Sequence, residues 1–224
     1  MQLFRFLAIA GFKILCRMFF RFEVTWVNSI PLTNWRDVKL YAFFNHTSLF
    51  EPIFISTMPF HFIWIGSRYA SVPVADKTMK RPFVGSLLWF IAPKMISITR
   101  KKDETWSGFL NQIDENSIIC LAPEGRMMRK TGLDLEGNPM SVRGGISDIL
   151  LELDDGIFIL AYSGGLHHVQ TPGEWSIRFF QTVKVRYEYL SIKDYKAQFD
   201  TKDSKKFKLQ VVKDLEARIK LHTP

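Results

Sequence analysis

The stretch that decides the fold is Val38-Lys39-Leu40-Tyr41-Ala42-Phe43-Phe44-Asn45-His46-Thr47-Ser48-Leu49-Phe50-Glu51-Pro52. Its first half is a short apolar run closed by a polar cluster, the pattern of a buried strand over 38–44. Pro52 pushes the residue before it away from helical backbone and is itself suited to a first helical position. A helix is therefore expected over about 51–58. His46 and Glu51 would then sit on the turn between a strand and a helix, where α/β proteins place their chemistry.

Two readings of that turn stand side by side. A histidine beside a carboxylate is a general-base arrangement: the neutral imidazole takes a proton from a hydroxyl while the carboxylate fixes the tautomer. Ser48-x-x-Glu51 also matches a capping box, in which the glutamate only satisfies backbone at a helix start. The four residues alone leave both open. No G-x-S-x-G elbow is present, and Cys120 lies inside an apolar strand, so a hydroxyl activated by His46 would belong to a substrate. Arg100 and Arg126 would supply fixed positive charge for a phosphate.

Outward from this stretch, strands are expected at 62–65, 95–99, 117–122, 157–161 and 177–187. Helices are expected at 81–92, 103–115, 142–153 and 204–222. Alternating strands and helices predict an α/β fold, a single layered domain whose mostly parallel or mixed sheet is flanked by helices. The turns carrying His46 and Glu51, Arg100, and Glu124 and Arg126 each follow a strand. If those strands are parallel neighbours, the turns gather on one edge.

No linker, repeat or low-complexity tract divides the 224 residues. The division expected is an N-terminal membrane-attachment segment, 1–30, followed by one α/β domain, 31–224. In the first 21 residues no uncharged run approaches the roughly 20 residues that span a bilayer, and there is no cleavage site of the signal-peptide kind. On a helical wheel Arg5, Lys13, Arg17 and Arg21 fall on one side and Leu, Ile and Phe fill the rest, the pattern of an amphipathic helix lying in a membrane interface. A net charge of +8, with 47% hydrophobic residues and 20 phenylalanines, points to an anionic membrane surface as readily as to nucleic acid. Nucleic acid ranks last, because no binding motif or interleaved surface aromatics accompany the charge. Two isolated cysteines, Cys16 and Cys120, fit neither a metal motif nor a disulfide framework and suit a reducing compartment.

Asn45-His46-x4-Glu51 resembles the first motif of the glycerophospholipid acyltransferases, the lysophosphatidate and glycerol-phosphate acyltransferases, written Asn-His-x4-Asp. Pro123-Glu124-Gly125 resembles their Pro-Glu-Gly motif, and 96–100, ending in Arg100, is similar to their intermediate arginine motif. Arg143-Gly144-Gly145 and the strand at 157–162 fall where the family has its later blocks, so the likeness runs in order from about 38 to 165. Glu51 stands where the family has aspartate, and Arg126 comes one residue earlier than the family's arginine. The resemblance implies transfer of an acyl chain from acyl-CoA or acyl carrier protein to a hydroxyl of a lysophospholipid or glycerol-phosphate acceptor. By it, His46 is the base and Glu51 its partner. Asn45, Arg100, Glu124, Gly125 and Arg126 would hold the substrate, with no metal or other cofactor. The setting implied is the cytoplasmic face of a membrane. The alternative expectation is a catalytically silent lipid- or acyl-carrier-binding protein of the same fold.

Overall fold

The computed structural model describes residues 1–28, 34–79, 92–99, 103–174 and 176–224. Its elements in order are α1 (Gln2–Phe19), β1 (Arg21–Trp26), a 3-10 turn (Trp35–Asp37), β2 (Val38–Phe44), a 3-10 segment (Glu51–Thr57), α2 (Phe60–Tyr69), β3 (Ala70–Ala75), α3 (Asp76–Met79), β4 (Lys94–Ile98), α4 (Glu104–Leu110), β5 (Ile118–Leu121), α5 (Gly145–Glu152), β6 (Ile157–Ser163), β7 (Thr182–Ser191), α6 (Ile192–Ala197) and α7 (Ser204–His222). Among the described residues the strands form a seven-stranded sheet in the order β1-β7-β6-β2-β5-β3-β4. Strands β6, β2, β5, β3 and β4 run parallel, β7 is antiparallel to β6, and β1 is parallel to β7. This is the α/β architecture with a mixed, mostly parallel sheet that the alternating pattern predicts.

Strand β2 reads as a continuous apolar run because both of its faces are buried, as expected of parallel sheets covered on both sides. Val38 and Phe43 pack into one core with Ile53, Phe54, Ile63 and the α1 residues Ile9 and Cys16. Leu40, Ala42 and Phe44 face the other, with Phe109, Ile146, Leu150, Phe207, Val211 and Leu215. Neighbours β6 and β5 pair on either side, Phe44 opposite Tyr162 and Ala42 opposite Leu121. The C-terminal ends of these three strands therefore meet at one edge of the sheet.

Several expectations are corrected. Residues 62–65 lie in helix α2, not a strand; a short apolar run carries no period to separate the two. The segment after Glu51 is helical but of the tighter 3-10 kind, with Ile53 N donating to Phe50 O at 3.0 Å. Strand β7 begins at Thr182 rather than 177, after a turn in which Phe180 takes a φ of 60°. Strands β1 and β3 were not expected. Pro73 sits in β3 where pairing continues only with β4, the position a strand proline can occupy. The helix expected at 81–92 lies, except for Ala92, outside the described residues.

Residues 2–26 are joined to the sheet. Helix α1 packs on α2 and the 3-10 segment, and β1 pairs in register with β7, Arg21 opposite Thr182 through Trp26 opposite Tyr187. Two of the α1 cations reach carbonyls of the neighbouring segment. Lys13 is buried and its Nζ donates to Met58 O, and Arg17 Nε donates to Ser56 O at 3.0 Å. These carbonyls close the 3-10 segment, where a helical end leaves acceptors and favours cations. Leu3, Leu7, Ile14, Leu15 and Met18 are instead exposed, at 59%, 58%, 53%, 55% and 66%. Among the described residues no helix is long and apolar enough to cross a membrane.

Helix α7, expected at 204–222 and found there, starts on an Asp203 cap whose Oδ1 accepts from Lys205 N and Lys206 N. A charge network bolts it to the sheet. Arg218 Nη1 donates to Glu188 Oε1 at 2.6 Å and Arg218 Nε to Asp214 Oδ2 at 2.7 Å, while the Tyr162 hydroxyl donates to Glu188 Oε2 at 2.6 Å. Burial, then the Glu188 carboxylate, hold the Tyr162 phenol far above its ordinary pKa. Removing the cation leaves a buried carboxylate uncompensated, so Arg218→Met is expected to destabilise the fold by about 3 kcal/mol. A shift of the urea midpoint at unchanged slope measures it, and an unshifted midpoint would show that the network is inert.

Candidate functional site

The site forms where β2 ends. Asn45 turns the chain with a φ of 60°, a left-handed conformation that asparagine tolerates better than most residues. Its side-chain Nδ2 donates to Ser163 O at 2.8 Å, at the end of β6, and to Thr223 Oγ1 at 3.0 Å, just beyond α7. The asparagine therefore ties β2 to both neighbours in space.

Glu124, at the end of β5, closes the other side. Its Oε1 accepts from Asn45 N at 3.1 Å and its Oε2 from His46 N at 2.9 Å. The residue is 4% exposed. Burial pushes its carboxyl above the ordinary value, against the pull of the two N–H donors. Gly125 follows with a φ of 64° and donates to Ala122 O at 3.0 Å, so the tight turn that presents Glu124 requires a left-handed residue there.

Glu51 answers both readings of the turn at once. Its Oε2 faces His46 Nδ1 in a short contact, and its Oε1 accepts from Thr47 N and from Ser48 N, the latter at 3.1 Å. Ser48 Oγ accepts from Phe50 N at 3.0 Å. One oxygen orients the imidazole and the other satisfies the backbone as a capping glutamate does. The loop is engaged further by backbone donors from elsewhere: Met128 N donates to His46 O at 2.7 Å, and Leu166 N to the Thr47 hydroxyl Oγ1 at 2.7 Å. The His46 side chain is 22% exposed and that of Glu51 9%.

Of the expected site residues, Asn45, His46, Glu51, Glu124 and Gly125 are brought together. Arg100 lies outside the described residues. Arg126 is engaged elsewhere: Nη1 pairs with Asp134, and Nη2 donates to Pro139 O at 2.9 Å and Ser141 Oγ at 3.3 Å. It organises the loop after the Pro-Glu-Gly turn. Sequence reasoning missed Gln170 and Thr223, whose contacts with Ser48 and Asn45 span 122 and 178 positions of the chain. Such pairs carry no local signal. Arg143 N donates to Pro123 O at 2.8 Å, and the Arg143 stem lies 3.9 Å from where a Cβ on Gly125 would be. Its guanidinium is exposed, and no hydrogen bond or ion pair holds it among the described residues. Among the described residues no cluster of His, Cys, Asp and Glu could hold a metal. A shallow cleft of about 250 Å³, lined by Trp106, Leu110, Asp148 and Leu151, lies away from these side chains.

No family model matches the chain, and no curated protein matches it.

Glu124→Ala would leave two backbone donors without acceptors, at roughly 1–3 kcal/mol each. The expected outcome is a lower unfolding midpoint together with faster hydrogen exchange at the amides of Asn45 and His46. Unchanged exchange at those amides would mean that Glu124 does not hold the loop.

Proposed function

We propose that the protein is an O-acyltransferase working at a membrane surface, moving an acyl chain from a thioester of coenzyme A or acyl carrier protein to a hydroxyl of a lysophospholipid-type acceptor. The observation that carries this reading is His46 Nδ1 held by a carboxylate, on a loop whose backbone is pinned at the C-terminal edge of a parallel sheet. That edge is where open α/β sheets bind ligands. With Nδ1 committed to Glu51, the tautomer is set and Nε2 is the atom that takes the acceptor's proton. The acceptor oxygen attacks the thioester carbonyl, the C–S bond breaks as the tetrahedral adduct collapses, and the departing thiolate recovers the proton from His46. Acyl group, proton and electron pair all balance with no further reactant.

Loss of a general base costs on the order of 100- to 10,000-fold in turnover. His46→Ala is expected to show a loss of that size in mass-spectrometric assays of a panel of lysolipids and acyl thioesters, with its unfolding midpoint kept. Glu51→Gln should lose more than Glu51→Asp, which retains the charge. Full turnover by His46→Ala removes the mechanism. Absence of turnover in the wild type across the panel favours the silent lipid- or carrier-binding alternative.

Arg143 is the better-placed ligand for an acceptor phosphate, since Arg126 is tied to Asp134 while Arg143 stands exposed beside Gly125. A charged hydrogen-bond partner contributes about 1.5–3 kcal/mol. Arg143→Ala should cost that much in kcat/KM for phosphorylated acceptors and little for unphosphorylated ones. Arg126→Ala, which loosens a loop, should affect both alike. Equal losses on both acceptor types for Arg143→Ala would exclude the phosphate role.

The membrane setting is supported by α1, whose outer face exposes Leu7, Leu15 and Met18. A contiguous apolar surface of this kind on a folded chain marks an interaction site.

A further inference from the structure

The turn before β7 exposes two aromatic side chains in succession. Phe179 is 50% and Phe180 70% exposed, and Phe180 holds a φ of 60°, which a bulky L-residue rarely adopts. The conformation is fixed by Phe180 N donating to Phe19 O at 2.7 Å. The Phe180 ring meets that of Phe19 and leaves most of its surface in solvent, so the strained turn displays more apolar surface than its packing uses.

The turn is continuous with the outer face of α1. Phe19 packs near both rings, with centroids 5.3 Å from Phe179 and 6.0 Å from Phe180; the exposed Met18 adjoins it and the exposed Leu15 lies one turn of helix before it. The shoulders of the patch are cationic. Arg21 follows Phe20, its backbone N–H donates to Gln181 O at 3.0 Å and its side chain is exposed; Arg178, beside Phe179, is exposed too, with its Nη2 paired to Glu174 at 2.6 Å. Apolar rings at the tip flanked by arginines fit the boundary between acyl chains and anionic headgroups. A protein partner would have no reason to require that order of layers.

We propose that the Phe179–Phe180 turn is a second membrane-inserting element, which together with α1 sets the protein's tilt on an anionic bilayer. It rests on the membrane-surface part of the proposed function and is independent of the His46 chemistry. Docked this way, the aromatic seam from Phe179 through Phe20 to Phe50, with centroid spacings of 5.9 and 5.7 Å, leads from the bilayer to the residue before Glu51. The acceptor class this orientation favours is a long-chain lipid that stays in the membrane.

The test attaches an environment-sensitive fluorophore to Phe180→Cys in the full chain. Cys16 is buried and burial pushes the Cys120 thiol up to about 12, so neither competes for the label near neutral pH. Vesicles of phosphatidylcholine with phosphatidylglycerol should shift the emission to the blue, and lipids brominated high on the acyl chain should quench it. A label at Lys205→Cys, on the opposite layer, should respond to neither. Phe180→Ser should weaken vesicle binding roughly tenfold, the effect of burying one phenylalanine. An unresponsive Phe180 probe on a chain that sediments with the vesicles overturns the proposal while leaving α1 as the anchor. A chain that never sediments with them overturns both. A blue shift that grows with protein concentration in the absence of lipid assigns the patch to a second copy of the chain and overturns it as well. The His46→Ala comparison on a short-chain acceptor in solution reads the chemistry separately.

Discussion

The carboxylate of Glu124 is the point on which the site depends. It is buried at the end of β5 and accepts the backbone N–H of two consecutive residues from the neighbouring strand end. A buried carboxylate is costly unless it is hydrogen-bonded, and two amides on a strained turn are costly unless they find acceptors. Each group satisfies the other's need. The consequence is geometric: Asn45 can hold its left-handed conformation, and His46 leaves β2 in a fixed direction. Asn45 repeats the device on the far side of β2, toward Ser163 and Thr223. The loop is thus anchored to three strand ends and to the residue after α7. An imidazole mounted on such a support does not need to be searched for among conformers, which is the preorganisation that acid–base chemistry requires.

Glu51 shows why a glutamate can stand at this position. A side chain that only oriented the imidazole would use one oxygen and leave the other to be solvated. Here the second oxygen takes Thr47 N and Ser48 N, which the turn into a 3-10 segment leaves without intrahelical partners. The capping role and the orienting role share one carboxylate. A change that destroys the first would disturb the second by releasing the loop.

Strand β2, the helix α7 and the meeting of the His46 and Glu124 turns at one sheet edge were legible in the sequence, because each follows from a strong local signal. A both-faces-buried strand reads as an unbroken apolar run, and a helix with Phe207, Val211 and Leu215 on one side reads as period four. The pairing of His46 with Glu51 was legible from spacing and chemistry. What was not legible depends on tertiary context. Residues 62–65 became helix because α2 lies against α1, with Phe6 edge-on to Trp64 at 5.2 Å, and a strand there would have left that layer empty. Strand β3 was hidden by Pro73, whose missing donor matters only if a neighbour pairs on that side. The roles of Arg126 and Arg143 were also out of reach, since the partner of one, Asp134, and the neighbour of the other, Gly125, are set by how the loop after β5 folds back.

Helix α1 carries the least obvious lesson. Its wheel shows cations along one side, and in an isolated amphipathic helix that side would face water or headgroups. The 3-10 segment changes the balance. It ends with the carbonyls of Ser56 and Met58 directed at α1, and Lys13 and Arg17 give each of them a charged donor, their stems lying along apolar surroundings. Burial accordingly lowers the pKa of Lys13, with Arg17 adding to the effect, yet the bond to Met58 O keeps a use for its proton. Lys13 and Arg17 are held by those carbonyls and Ile9 and Cys16 pack into the core, while Leu7, Leu15 and Met18 stay exposed. The ion–carbonyl contacts and the buried apolar residues together fasten α1 with its apolar outer face displayed, so the 3-10 segment beside Glu51 also helps hold the helix that displays it.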